Sequence, residues 1–463
     1  MKKSFIYIFL LMCCLTVSAH SQTNGAASRP NANEAYAKSD AKLNRTRALE
    51  ALAWIKETIE ERYYDKNYHG VDMDARFKLA EEKIKKLDSN GQIFYVIAAV
   101  ILEFKDSHTT FIPPGRSTRV EYGFTMQMVG NKCYVTDVKK DSDAEKKGLK
   151  AGDVLLGIGP YEITRESLWM INYFIYRLSP QEKLKLFVAG TSGAHHEVTV
   201  DSRFETPQEQ KAIAEKRAKE KPPEPYKCKK INDELIACRL ESFSIDKKYI
   251  NKMMAEIEPF KKLILDLRGN GGGYIRIMEY LTGHFFDREV KIGTQVTRSE
   301  RAAVVAKPQK ERSFKGELLI LTDSRSGSAS EVFSRVMQLE KRGKVVGDVS
   351  AGAVMASIRL GYGSGRGMIS YRLAVYSLSV TVADLIMSDG NRLENVGVIP
   401  DYPFGPSGKA FAEKIDPVLA YAANLSGAKL TSEEAGNFEF IMKKPENGEE
   451  KDDEDDGKEE KNK

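Results

Sequence analysis

The spacing of apolar residues changes several times along the chain, and each change marks a different class of element. Residues 5–17 are almost unbroken apolar chain behind Lys2 and Lys3, followed by Ser18-Ala19-His20-Ser21. A charged start, a short apolar run and a small-residue exit make a secretory signal peptide over 1–21, too short for a stable bilayer span. Cleavage after Ala19 and cleavage after Ser21 both fit. Residues 22–44 are mostly small and polar and read as a flexible leader. Over 45–116 the apolar positions fall at helical spacing. Leu52, Ile55, Ile59 and Tyr63 form one face, Phe77, Ala80, Ile84 and Leu87 a second, and Phe94, Ile97, Ile101 and Phe104 a third. This N-terminal helical region runs into Asp106-Ser107-His108-Thr109.

Over 117–204 the period shortens to that of strands. Gly148 suits the left-handed stop of a one-turn helix, and Gly152-Asp153 a tight turn into an apolar strand at 154–158. The stretch resembles a PDZ domain, with Tyr122-Gly123-Phe124 in the place of its peptide-carboxylate loop. Such a loop holds a chain terminus on backbone N–H groups while the adjoining strand edge pairs with the peptide. Residues 205–225 are charged and end in prolines, and read as a linker or a solvated helix. Over 226–428, strands at 262–267, 318–322 and 345–347 alternate with helices starting near Tyr274 and Ser328, which predicts an α/β layer architecture. A β-rich part is expected over 357–382 and a final helix over 409–425. The remainder, 429–463, is an acidic low-complexity tail; beyond Glu446 it carries no apolar side chain.

A chain of 463 residues exceeds one ordinary core. Its formal charge of +5 is small against 71 basic and 66 acidic side chains, and no basic cluster is interleaved with stacking aromatics. Nucleic acid is therefore set aside as a partner. No stretch after the signal is apolar enough to cross a membrane. Export would place the chain where disulfides persist. Removing the signal leaves Cys133, Cys228 and Cys238, the last two flanking a hairpin over 226–240 with Asn232-Asp233 at its tip. A cross-strand bridge there is one reading; three buried free thiols is the preferred one.

Two segments could carry chemistry. Ser326-Gly327-Ser328-Ala329-Ser330-Glu331 follows an apolar strand and leads directly into helical periodicity. A serine at that junction presents its hydroxyl at a helix N-terminus, where free N–H groups favour developing negative charge. Ser328 is the candidate nucleophile and Ala329 N–H one oxyanion donor. The second segment, Asp266-Leu267-Arg268-Gly269-Asn270-Gly271-Gly272-Gly273, ends a buried strand in a glycine run whose N–H groups can converge on an anion. It lacks the Lys-Ser/Thr of a phosphate-binding loop and forms no dinucleotide fingerprint. His195 and His196 have no carboxylate or thiolate company, so no metal is expected, and no cofactor is called for.

Together these segments resemble the C-terminal-processing and tricorn-type serine peptidase family, also called the tail-specific protease family. The resemblance extends to Asp106-Ser107-His108-Thr109, the PDZ-like stretch and Leu393 to Asp401, and covers about 45–425. It implies an α/β, crotonase-like (ClpP/crotonase) catalytic core with an N-terminal helical region and an inserted PDZ-like β-rich domain. The processing branch of this family uses a lysine base after the nucleophile helix; here that position is Ala353. The tricorn-like branch uses a histidine preceded by serine and a distant glutamate, matched by His108, Ser107 and Glu394. The resemblance thus implies a secreted serine endopeptidase acting on protein or peptide substrates through an acyl-serine intermediate. His108 would be the base, and Glu394 would act through Ser107. Either Gly271 or Gly272 would join Ala329 in the oxyanion hole, and Tyr122, Gly123 and Phe124 would hold peptide. His284 is a rival base, read as packed or exposed helix surface. A non-catalytic ligand- or peptide-binding protein on the same scaffold is the alternative.

Overall fold

The computed structural model describes residues 32–113, 119–191, 193–219, 224–309, 313–362, 368–369 and 376–440. The signal pattern and most of the acidic tail lie outside them. Two compact units result. One takes the described residues up to Lys105 together with those in Thr109–Pro114 and Arg359–Val380; the other holds Asp106–His108 and the rest. No helix among the described residues is long and apolar enough to cross a membrane.

The first unit is built on helices Ala32–Arg62, Met73–Ile84 and Asn90–Leu102. Their periodic residues Ile55, Ile59, Tyr63, Phe77, Ala80, Ile84, Ile97, Ile101 and Phe104 are all buried. Asp72 caps the second helix by accepting from Ala75 N–H. The first helix begins at Ala32, inside the stretch expected as a flexible leader. Alanines and lysines there propagate a helix once 45–62 has nucleated it. Thr110–Ile112 pairs antiparallel with 377–379.

The second unit contains two sheets that matter for the site. Its main sheet has the order Tyr226–Lys230, Leu235–Leu240, Lys262–Asp266, Glu317–Thr322, Lys344–Gly347, Tyr402–Pro403. The first pair is antiparallel and the rest parallel. Such a sheet must be covered on both faces, which explains its near-continuous apolar strands. Leu263, Leu265 and Ile320 face helices Lys247–Ile257, Ile275–Gly283 and Ala329–Leu339. Ile264, Leu319 and Leu321 face Pro417–Leu425 on the other side. The parallel order sends the ends of Lys262–Asp266 and Glu317–Thr322 out on one edge, side by side.

The single final helix expected over 409–425 is two, Gly408–Glu413 and Pro417–Leu425. Lys414 is left-handed (φ 56°) and Asp416 caps the helix that Pro417 opens. The break frees Asp416 to meet the buried Arg268 guanidinium at 2.6 and 2.8 Å. The 207–219 part of the expected linker is a helix.

Residues 119–205 form a β-rich module with its own core. Its sheet order is Phe124–Val129, Lys132–Val138, Val154–Ile158, Lys183–Ala189, His195–Asp201. Phe124–Val129 is thus an edge strand.

The preference for free thiols is corrected at one place: Cys228 and Cys238 form a disulfide, and Cys133 stays a buried thiol. The cause is register. A two-residue turn at Asn232-Asp233 would set Cys228 against Ala237, but Ile231 pairs with Leu235 and the loop has three residues, 232–234. That register, which matches a hairpin over 226–240, makes Cys228 and Cys238 direct partners.

Candidate active site

Strand Glu317–Thr322 hands the chain to a tight turn that ends at Ser328, the N-cap of helix Ala329–Leu339. Ser328 has φ 51° and ψ −118°, a conformation that costs a non-glycine residue about 1–3 kcal/mol. The surroundings hold it there: Ser328 N–H donates to Ala353 O at 2.8 Å and to Glu331 Oε2 at 2.9 Å. The flanking serines are locked away. Ser326 Oγ donates to Leu267 O at 2.8 Å and Ser330 Oγ to Asn270 O at 2.9 Å, and both residues are fully buried. Ser328 alone of the three remains half-buried. A strained strand-to-helix turn of this kind pushes one hydroxyl forward.

The glycine run lies directly against it. Arg268, held between Asp266 and Asp416, fixes the end of its strand. Asp323 then receives Gly269 N–H and Arg325 N–H, at 2.8 and 2.9 Å. Burial works against ionisation of Asp323, but Arg325 and these donors hold its carboxyl below the usual range. Gly272 has φ 107°, and a Cβ there would stand 2.6 Å from Ser328 Cβ. Its N–H donates to Asn270 Oδ1 at 2.9 Å, which removes it as a free donor. The N–H groups of Gly271 and Ala329 have no hydrogen-bond partner among the described residues. Of the two glycines left open by the sequence, Gly271 is the available one.

The candidate base sits in a separate, ordered cluster. Asp106 Oδ1 accepts His108 N–H at 3.0 Å and Thr381 Oγ1 at 2.8 Å, which pins the backbone before the imidazole. Ser107 Oγ lies 2.6 Å from His108 Nδ1 and donates to Glu394 Oε2 at 3.0 Å. With its hydrogen on Glu394, Ser107 Oγ can accept from Nδ1–H, the tautomer that puts the imidazole lone pair on Nε2. Glu394 also receives Ser107 N–H and Val354 N–H, both at 2.8 Å. Burial pushes its carboxyl up; the Val354 and Ser107 donors oppose this, and Asp106 adds to it.

Two consecutive residues connect the halves. Ala353 O accepts Ser328 N–H, and the next N–H, Val354, donates to Glu394. The structure therefore brings Ser328, Ala329, Gly271, Gly272, Ser107 and Glu394 into one network, with His108 attached through Ser107. His284 is not part of it; it is fully buried, with Nδ1 2.9 Å from Tyr280 O. His195 and His196 are exposed on a strand. Among the described residues no group of three or more His, Cys, Asp or Glu side chains could hold a metal ion.

Tyr122, Gly123 and Phe124 lie in the β-rich module. Tyr122 is buried, donating its hydroxyl to Ile175 O and accepting Gln181 N–H. Gly123 has φ 76°, and Phe124 is buried and opens the edge strand. The far end of that strand is tied to the turn that leads to Ser328. Gln127 Nε2 donates to Asp323 Oδ2 at 2.7 Å, and Ser324 Oγ to Met128 O at 2.6 Å.

The sequence reading missed Glu331 as a site residue. The Ser-x-x-Glu spacing at a helix start is a capping-box signature and could have marked it.

Comparison with known proteins is consistent with this geometry. Residues 236–404 match the profile of peptidase family S41. The chain is 23% identical over 391 residues to the chloroplastic C-terminal processing peptidase of Tetradesmus obliquus, covering 76% of each. It is 24% identical over 395 residues to the tail-specific protease of Haemophilus influenzae, covering 80% of this chain and 54% of that one. Among solved structures, mature CPAF complexed with lactacystin superposes with a TM-score of 0.62 at 14% identity, over 83% of this chain and 98% of that one.

Proposed function

Because this chain belongs to peptidase family S41, we propose that it is a serine endopeptidase that cleaves peptide bonds with Ser328 as nucleophile and His108 as base. Ser328 Oγ attacks the scissile carbonyl carbon while its proton passes to His108 Nε2. The carbonyl oxygen becomes an oxyanion facing the N–H groups of Gly271 and Ala329. Collapse of the tetrahedral intermediate breaks the C–N bond, and His108 returns the proton to the leaving amine. Water then attacks the acyl-serine ester by the same route, restoring Ser328 and releasing the new carboxylate. Glu394, acting through Ser107, keeps Nδ1 protonated and offsets the imidazolium charge, as the carboxylate does in a Ser-His-Asp triad.

The observation that carries this reading is the Glu394–Ser107–His108 chain, anchored one residue from the carbonyl that receives Ser328 N–H. The core is read as crotonase-like and residues 119–205 as a PDZ-like module, supported by the Gly123 turn and the open edge strand beside it. That strand would pair with an extended or C-terminal peptide. The Cys228–Cys238 disulfide supports export to an oxidising compartment, periplasmic or extracellular.

The test is labelling with a fluorophosphonate probe together with cleavage of casein. Wild-type protein should label and cleave. Ser328→Ala should do neither, and His108→Ala should lose about 10³-fold or more in kcat. Undiminished cleavage by Ser328→Ala would remove the nucleophile assignment, and peptide binding without labelling would favour the non-catalytic alternative.

A further inference from the structure

We propose that Glu331 is a positioning residue of this peptidase, whose ionised carboxylate holds the Ser328 turn in register with the loop that carries Glu394. The inference rests on Ser328 being the nucleophile.

Glu331 is fully buried in the first turn of the nucleophile helix. Its two oxygens receive four donors. Ser350 Oγ and Gly352 N–H donate to Oε1 at 2.6 and 2.7 Å, and Ser328 N–H and Ala353 N–H to Oε2, both at 2.9 Å. No cation is among these partners. Ser350 Oγ in turn accepts Val398 N–H at 2.6 Å, so loop 394–398 is tied to the same carboxylate. Gly352 O accepts Asn395 N–H at 2.7 Å, a second tie between those loops.

A helix cap alone needs one of these contacts. The other three fix 350–354, the segment that presents Ala353 O to Ser328 and Val354 N–H to Glu394. The acceptor count favours charge, because a carboxylate can take all four donors. An amide at this position places a hydrogen where a donor already points, and a neutral acid has one acceptor site fewer than the carboxylate. Burial pushes the Glu331 carboxyl up to about 7, so the charged form is held against its environment by those donors. Nothing in the cluster lets Glu331 touch substrate; it acts through Ser328 and Glu394.

The experiment compares wild type, Glu331→Gln, Ser350→Ala and Ser328→Ala for kcat, KM, fluorophosphonate labelling rate and Tm. Glu331→Gln keeps shape and volume and should fold. Its kcat and labelling rate should fall by about 100-fold, the cost of misplacing a reacting group by about 1 Å, with KM within about threefold. Ser350→Ala withdraws one donor from the carboxylate and should lower kcat by roughly tenfold at constant KM. Glu331→Gln with the wild-type kcat and labelling rate would overturn the inference. So would a kcat loss matched by a fall in Tm while Ser350→Ala stays at wild-type activity. If Glu331→Gln does not fold, Ser350→Ala decides alone: reduced kcat at constant KM supports the role, and unchanged kcat rejects it. Failure of wild type to label at all, with no difference from Ser328→Ala, would instead sink the nucleophile reading.

Discussion

Ser328 is held in a strained conformation, and Glu331, the carboxylate that accepts its N–H, is buried beside it. The Glu331 carboxyl stands near 7 in the folded chain against an ordinary 4.5, because burial disfavours its charged form. Folding therefore favours the protonated acid. Its stabilising contribution is complete below about pH 4.5 and is lost as pH rises through 7, a change of about 3 kcal/mol. Relative to Glu331→Gln, the wild-type protein should lose about that much stability between pH 4.5 and pH 7.5, read from urea midpoints. A constant gap between the two would show that the carboxyl does not titrate in this range. Activity should move the other way, gained as Glu331 ionises.

At the scale of elements, strand-to-turn-to-helix junctions were legible, because small residues between two apolar periods leave few alternatives. The positions of Ser328, Gly271 and Gly272 followed from that pattern. The choice between the glycines did not, since it depends on the Asn270 side chain turning back to take Gly272 N–H. Likewise Cys228 and Cys238 were visible on a hairpin, but the bridge depended on their being direct partners across a three-residue loop. Periodicity reports which face a residue occupies and is silent on a one-residue slip. The split of the last helix was hidden similarly, behind an Asp-Pro pair whose cap also serves Arg268. A sharp contrast follows for the glycine run. A Cβ at Gly271 meets nothing within 4 Å, whereas one at Gly272 enters Ser328 and requires φ 107°. Gly271→Ala should keep kcat within about threefold, and Gly272→Ala should lose about 100-fold, since a reacting group pushed by about 1 Å costs that much. Steady-state kinetics on a fluorogenic peptide would separate them. Equal losses would show that bound substrate fills the open space beside Gly271.

At the scale of the molecule, the β-rich module is fastened to the catalytic core at more than the Gln127 and Ser324 contacts. Arg165 is ion-paired with Asp348 and donates to Val349 O at 3.1 Å, and Gly130 N–H donates to Asp348 Oδ2 at 2.9 Å. Gly152 and Gly408 approach so closely that a Cβ on either would collide with the other's carbonyl. None of this was readable from the sequence, because module contacts are made by single polar residues without a period. Arg165→Ala should raise amide exchange in strands Phe124–Val129 and Lys132–Val138 while leaving Lys262–Asp266 protected. If exchange in those strands is unchanged, the ion pair does not hold the module.

Ser107 and Glu394 are hydrogen-bonded although 287 residues separate them. A ribosome must therefore release nearly the whole polypeptide before the relay can close. Partly made chains, and fragments clipped ahead of Glu394, carry Ser328 and His108 without the carboxylate to which Ser107 donates.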